Sequence, residues 1–177
     1  MDTFIALLRA INVNGRNRVP MAELRAMAER LGHRQVVTYI QSGNLILASA
    51  DPPAAIRSGL EAAIRATFGH EVAVALRRPE EVRAVLEGCP YRPGDGEVVY
   101  VAFAARAPAA EALAALPGRL PPSGDLCQAR DEEIYILYRD GVHGSRLSNA
   151  FFERQLGVPF TSRSLGTVGE VLRRAGG

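Results

Sequence analysis

Eight polar side chains in two short runs are the residues of this chain best suited to hold a ligand. Asn12, Asn14, Arg16, Asn17 and Arg18 lie in Asn-Val-Asn-Gly-Arg-Asn-Arg, and Gln41, Ser42 and Asn44 in Gln-Ser-Gly-Asn. Guanidinium groups bind phosphate or carboxylate bidentately, and Asn and Gln add neutral donors and acceptors that orient a guest. The chemistry expected is therefore anion binding, with Arg9 just ahead of the first run as a further cation. A competing reading uses the same residues only to shape turns, since Asn and Gly tolerate left-handed backbone and Asn bonds to its own main chain. An enzyme acting on a small polar substrate at the same site would use Ser42 or a bound water, but no paired base accompanies that serine. Neither G-x-G-x-x-G nor G-x-x-x-x-G-K-[ST] occurs, so this is not a dinucleotide fingerprint or a P-loop.

These runs need a scaffold to bring them together. Phe4 to Arg9 reads as a buried strand, and Pro20 opens a helix with Met21, Leu24, Met27, Ala28 and Leu31 on one face, closed by Gly32. Val36 to Ile40 and Leu45 to Ala48 read as strands flanking the Ser-Gly turn. A second helix follows Pro52-Pro53 with Ile56, Leu60, Ile64 and Phe68 at four-residue spacing, and Val72, Val74 and Leu76 alternate as a strand. The order β-α-β-β-α-β over residues 1–78 is the ferredoxin-like arrangement, an α+β fold with an antiparallel sheet covered by two helices. Its first and third strands are neighbours, which would carry both polar runs to one sheet end beside the start of the Pro20 helix, where free N–H groups favour an anion.

Residues 79–177 read as a second α/β subdomain. The elements are a helix after Pro79, a strand at Val98 to Phe103, a helix at Pro108 to Leu116, a hairpin from Leu126 to Tyr138, and helices near Arg146 to Leu156 and Thr167 to Arg174. This order resembles the first half with its last strand replaced by helix. Thr167 and Glu170 fit a capping box.

Leu7-Leu8-Arg9-Ala10-Ile11-Asn12-Val13-Asn14-Gly15-Arg16-Asn17-Arg18-Val19-Pro20-Met21-Ala22-Glu23-Leu24 and Thr38-Tyr39-Ile40-Gln41-Ser42-Gly43-Asn44 closely resemble the hallmark segments of the bacterial family named domain of unknown function 1697. Asn149-Ala150-Phe151-Phe152-Glu153-Arg154-Gln155-Leu156-Gly157 and Thr161-Ser162-Arg163 resemble its C-terminal signature. The resemblance implies two ferredoxin-like subdomains and no established activity. It departs from the family pattern after Arg163, where Ser164-Leu165-Gly166-Thr167 stands in place of Asn-Trp-Asn-Thr.

Asn149 and Arg163 join the candidate ligand-binding residues, Asn149 because it shares a helix face with Glu153 and Arg163 because it precedes the last helix and could bind an anion or pair with an acid. The bland reading of that first helix is an exposed element whose Leu147, Phe151 and Leu156 pack inward. His33, His70 and His143 each adjoin Gly and read as turn residues, and Asp131-Glu132-Glu133 as a solvated hairpin tip.

Composition narrows the classes. All 21 basic residues are Arg, so a Walker lysine, a Schiff-base lysine and a lysine general base are excluded, and with them kinase-like and pyridoxal-phosphate chemistry. No cofactor is implied. Cys89 and Cys127 stand apart with no His at metal spacing, which gives no disulfide framework and no metal site. The longest early apolar run, Phe4 to Leu8, is too short for a signal segment or a membrane span, so the expectation is a cytoplasmic protein without a membrane partner. Residues 1–50 carry six Arg against three acids, 51–138 nine against thirteen, and 139–177 six against three. That asymmetry is weaker than the basic stripe of a dedicated nucleic-acid binder. A nucleic acid and a second copy of the chain, pairing through a sheet face or open edge, stand as further partners behind a small anionic ligand.

Overall fold

The computed structural model describes residues 1–176, in two compact units: Met1–Arg83 with the residues from Glu170 onward, and Ala84–Gly169.

In the first unit β1 (Asp2–Leu8), α1 (Met21–Arg30), β2 (Arg34–Tyr39), β3 (Asn44–Ser49), α2 (Pro53–Phe68) and β4 (Val74–Arg77) follow in order. The sheet order is β2-β3-β1-β4, all pairs antiparallel, which is the ferredoxin-like topology. Burying both faces of β1 and β3 demands a continuous apolar run, and Phe4 to Leu8 and Leu45 to Ala48 supply it. Leu24, Met27 and Ala28 of α1 and Ile56, Leu60 and Ile64 of α2 pack with Phe4, Ala6, Leu8, Leu45 and Leu47 in one core. Gly69 ends α2 in the left-handed region, its N–H reaching the Arg65 carbonyl. The register sets Leu7 opposite Asn44, so the end of β1 meets the start of β3 as the topology requires. α3 (Pro79–Glu87) follows β4.

The second unit contains β5 (Val98–Ala104), α4 (Ala110–Ala115) with a 3-10 turn over Leu116–Arg119, β6 (Leu126–Arg130), β7 (Glu133–Tyr138), α5 (Asn149–Leu156) and β8 (Phe160–Ser164). Its sheet order, β6-β7-β5-β8, repeats that of the first unit, with a core of Ile134, Ile136, Phe151, Phe152 and Phe160 among others. The expectation that helix replaces the last strand is corrected here: β8 pairs with β5 from Ala104 opposite Phe160 to Tyr100 opposite Ser164. Phe-Thr-Ser-Arg-Ser has one apolar residue, so no alternation announces a strand whose pairing is fixed by its neighbour.

The last helix, α6 (Leu165–Arg174), starts earlier than expected. Ser164 Oγ, not a Thr167 and Glu170 pair, takes the Thr167 N–H at 3.2 Å, while Glu170 is held by Arg173 and Arg174, each at 2.7 Å. The acidic hairpin tip is corrected in one residue: Asp131 is exposed at the turn, but Glu133 is buried as the first residue of β7. His33 follows α1 in a turn and is buried, at 5% exposure.

Candidate functional site

The loop after β1 forms a small two-stranded finger. Asn12 N–H bonds to the Asn17 carbonyl at 3.0 Å, Val13 and Arg16 form a bridge, and Arg16 N–H reaches the Val13 carbonyl at 2.9 Å. Asn14 and Gly15 occupy the turn with φ of 49° and 73°, the two left-handed positions that an Asn-Gly pair fills in hairpin turns. Ala10, Asn12, Asn14, Asn17 and Ile40 are five of the seven non-glycine residues with positive φ among the described residues, so this unusual backbone concentrates in the two polar runs and the residues just ahead of them. Ala10 and Ile40 carry no sequence signal for it.

Asn12 ties the finger down. Its Nδ2 donates to the Val19 carbonyl at 2.9 Å and to the Gln41 carbonyl at 2.8 Å, and its Oδ1 accepts from Val19 N–H at 2.9 Å. One side chain thereby joins both polar runs and fixes the entry to α1. Asn17 Nδ2 donates to the Ala10 carbonyl at 3.0 Å. In the second run Asn44, fully buried, donates to the Tyr39 carbonyl at 2.9 Å and to Ser42 Oγ at 3.0 Å. An amide donor cannot take the Ser42 proton, so this contact gives the hydroxyl no base. Gly43 sits at φ 87° against β1: a Cβ there would lie 2.7 Å from Leu8 Cβ and 2.8 Å from Ile11 Cδ1. Sequence reading placed Gly43 in a turn but had no signal for this close approach.

Arg16 and Arg18 are exposed, and neither guanidinium makes a hydrogen bond, ion pair or ring contact among the described residues. The Gln41 side chain is likewise exposed and unengaged, as is that of Asn14. Arg9 is half-buried with its backbone N–H on the Ala73 carbonyl at 3.0 Å. Pro20 precedes α1 with no side-chain cap on the helix start. A cation that sequence reading passed over, Arg25, is on α1 with NH1 2.6 Å from Thr38 Oγ1.

The two outlying candidates belong to the second unit. Asn149, in the first turn of α5, accepts from Ser162 Oγ at 2.5 Å. Arg163 is buried on β8, with NH1 2.7 Å from Thr161 Oγ1 and 2.9 Å from the Ser162 carbonyl, and burial pushes its guanidinium down to about 10. In the same unit burial pushes the Cys127 thiol up to about 11, which keeps it protonated. Among the described residues no cluster of three or more His, Cys, Asp or Glu could hold a metal ion, and no helix is long and apolar enough to cross a membrane.

The finger, the Gln41 to Asn44 turn and the whole first sheet fall within residues 1–135, the part of the chain matched by the family model described as Protein of unknown function (DUF1697). The chain belongs to that family. Both polar runs that Asn12 links lie within the matched residues, whereas Asn149 and Arg163 lie beyond them. Among solved structures, the conserved bacterial protein SP0830 from Streptococcus pneumoniae is similar over 98% of both chains, with a TM-score of 0.77 at 23% identity, a likeness of fold. No curated protein matches the chain.

Proposed function

We propose that this protein binds an anion, a phosphate group or a small anionic ligand, at the rim formed by the finger after β1 and the β2–β3 turn. The observation that carries the reading is the division of labour among its polar groups. The amides of Asn12, Asn17 and Asn44 are spent on the chain's own backbone and hold the loops in place, while the Arg16 and Arg18 guanidinium groups face solvent without a partner. The loop that carries the two unmatched cations is already braced, so only their side chains have to be ordered when an anion arrives. The uncapped start of α1 adds N–H groups of the same preference.

Thermal-shift and calorimetric titration with inorganic phosphate, sugar phosphates and nucleotides tests this. The expected result is a concentration-dependent rise in Tm that the Arg16→Ala, Arg18→Ala double variant loses. Unchanged binding in that variant overturns the reading.

A further inference from the structure

Resting on the anion-binding reading above, we infer that the anion this finger meets is the phosphodiester backbone of a nucleic-acid strand, in preference to a small phosphorylated metabolite. Shape is the first ground. Sites for small ligands are concave and surround most of the guest. Here the cations ride on a projecting ribbon: Val13 is 51% exposed, Asn14, Gly15, Arg16 and Arg18 are exposed, and a Cβ on Gly15 would meet nothing within 4 Å. The amides that could have wrapped a small guest, those of Asn12, Asn17 and Asn44, point at the chain's own carbonyls. A braced two-stranded ribbon presenting cations suits a partner that supplies the concavity itself, in a groove or between successive phosphates.

Charge is the second ground. The unit that carries the finger has thirteen Arg against nine acids, and no acid occurs between Asp2 and Glu23. No carboxylate on the finger competes with an incoming polyanion, and release of the polymer's condensed counterions supplies the driving force.

Fluorescence anisotropy of the full chain with labelled single-stranded RNA, single-stranded DNA and duplex DNA tests the inference and separates the three sources of the backbone. Inorganic phosphate and glycerol phosphate serve as competitors and, by calorimetry, as ligands. The expected result is oligonucleotide binding that Arg16→Gln with Arg18→Gln weakens by about tenfold or more, flattening the slope of log K against log salt by roughly 1.5. The charge-matched control Arg30→Gln with Arg34→Gln, at the opposite end of α1 and β2, leaves it unchanged. All four arginines are exposed, so circular dichroism of each variant should match the parent. Equal losses in both double variants would mean diffuse charge and overturn the inference, as would anionic lipid vesicles binding where oligonucleotides do not. If phosphate or glycerol phosphate binds through Arg16 and Arg18 while oligonucleotides bind no tighter, the inference fails and the anion reading stands. If no anion binds, both fail.

Discussion

Asn12 does more for the candidate site than any cation in it. Its φ of 54° is one that Asn adopts at little cost and Ala does not, and its amide satisfies the N–H and carbonyl of Val19, a residue with no exposed surface, as well as the Gln41 carbonyl. Asn12→Ala should therefore cost about 1–3 kcal/mol in urea denaturation, because a buried Val19 N–H is left without its acceptor. The same change should lower anion affinity by releasing the finger from the β2–β3 turn. Retained affinity at reduced stability would mean that the two runs need not be linked. The residue types were readable as binding groups or as turn formers, and the hydrogen bonds assign most Asn residues to the second role and Arg16 and Arg18 to neither. Spacing along the chain could not separate these, because an Asn side chain that bonds its neighbour and one that faces a guest look alike in sequence.

Among the elements, the β2–β3 turn is packed against β1 rather than projecting from the sheet. Leu8 N–H donates to the Gly43 carbonyl at 2.8 Å, and the missing side chain of Gly43 is what lets Leu8 and Ile11 approach. Gly43→Ala combines a left-handed φ with overlap in the core, and should cost about 1–3 kcal/mol or more. Gly15→Ala, where the added Cβ meets nothing within 4 Å, carries only the backbone penalty, roughly 1–2 kcal/mol. Chemical denaturation of the pair checks the order, and an equal loss at both positions would show that contact with β1 is unimportant. Helices and the strands of strong apolar pattern were legible because their periodicity is local. β8 was not: Phe160 to Ser164 has no apolar alternation, and it is a strand because it pairs with the edge of β5, with Thr161 and Arg163 buried.

For the molecule as a whole, one group that links stability to acid is His33, buried with Nδ1 lacking a hydrogen-bond partner among the described residues. Burial holds its pKa below the ordinary 6.5, with Asp51 opposing the shift. The native state therefore binds this proton less readily than the unfolded chain, so the contribution is complete above about pH 6.5 and is lost as pH falls below it, until the folded pKa is passed. Urea midpoints should decrease on going from about pH 7.5 to about pH 5.5, across the ordinary His range. His33→Gln should flatten that part of the profile, and an unaltered slope would assign it to other groups.

The sequence by itself determined the α+β class, the βαββαβ order of the first unit, the family, and the two segments that share a sheet end, because apolar periodicity and turn chemistry are properties of neighbours along the chain. Only the tertiary structure decided that the second unit completes the same sheet, that Asn12 fastens one loop to the other, and that Arg16 and Arg18 stay unpaired on a projecting ribbon. Pairing, burial and the direction a side chain faces depend on groups far away in sequence, and those are fixed when the sheet closes.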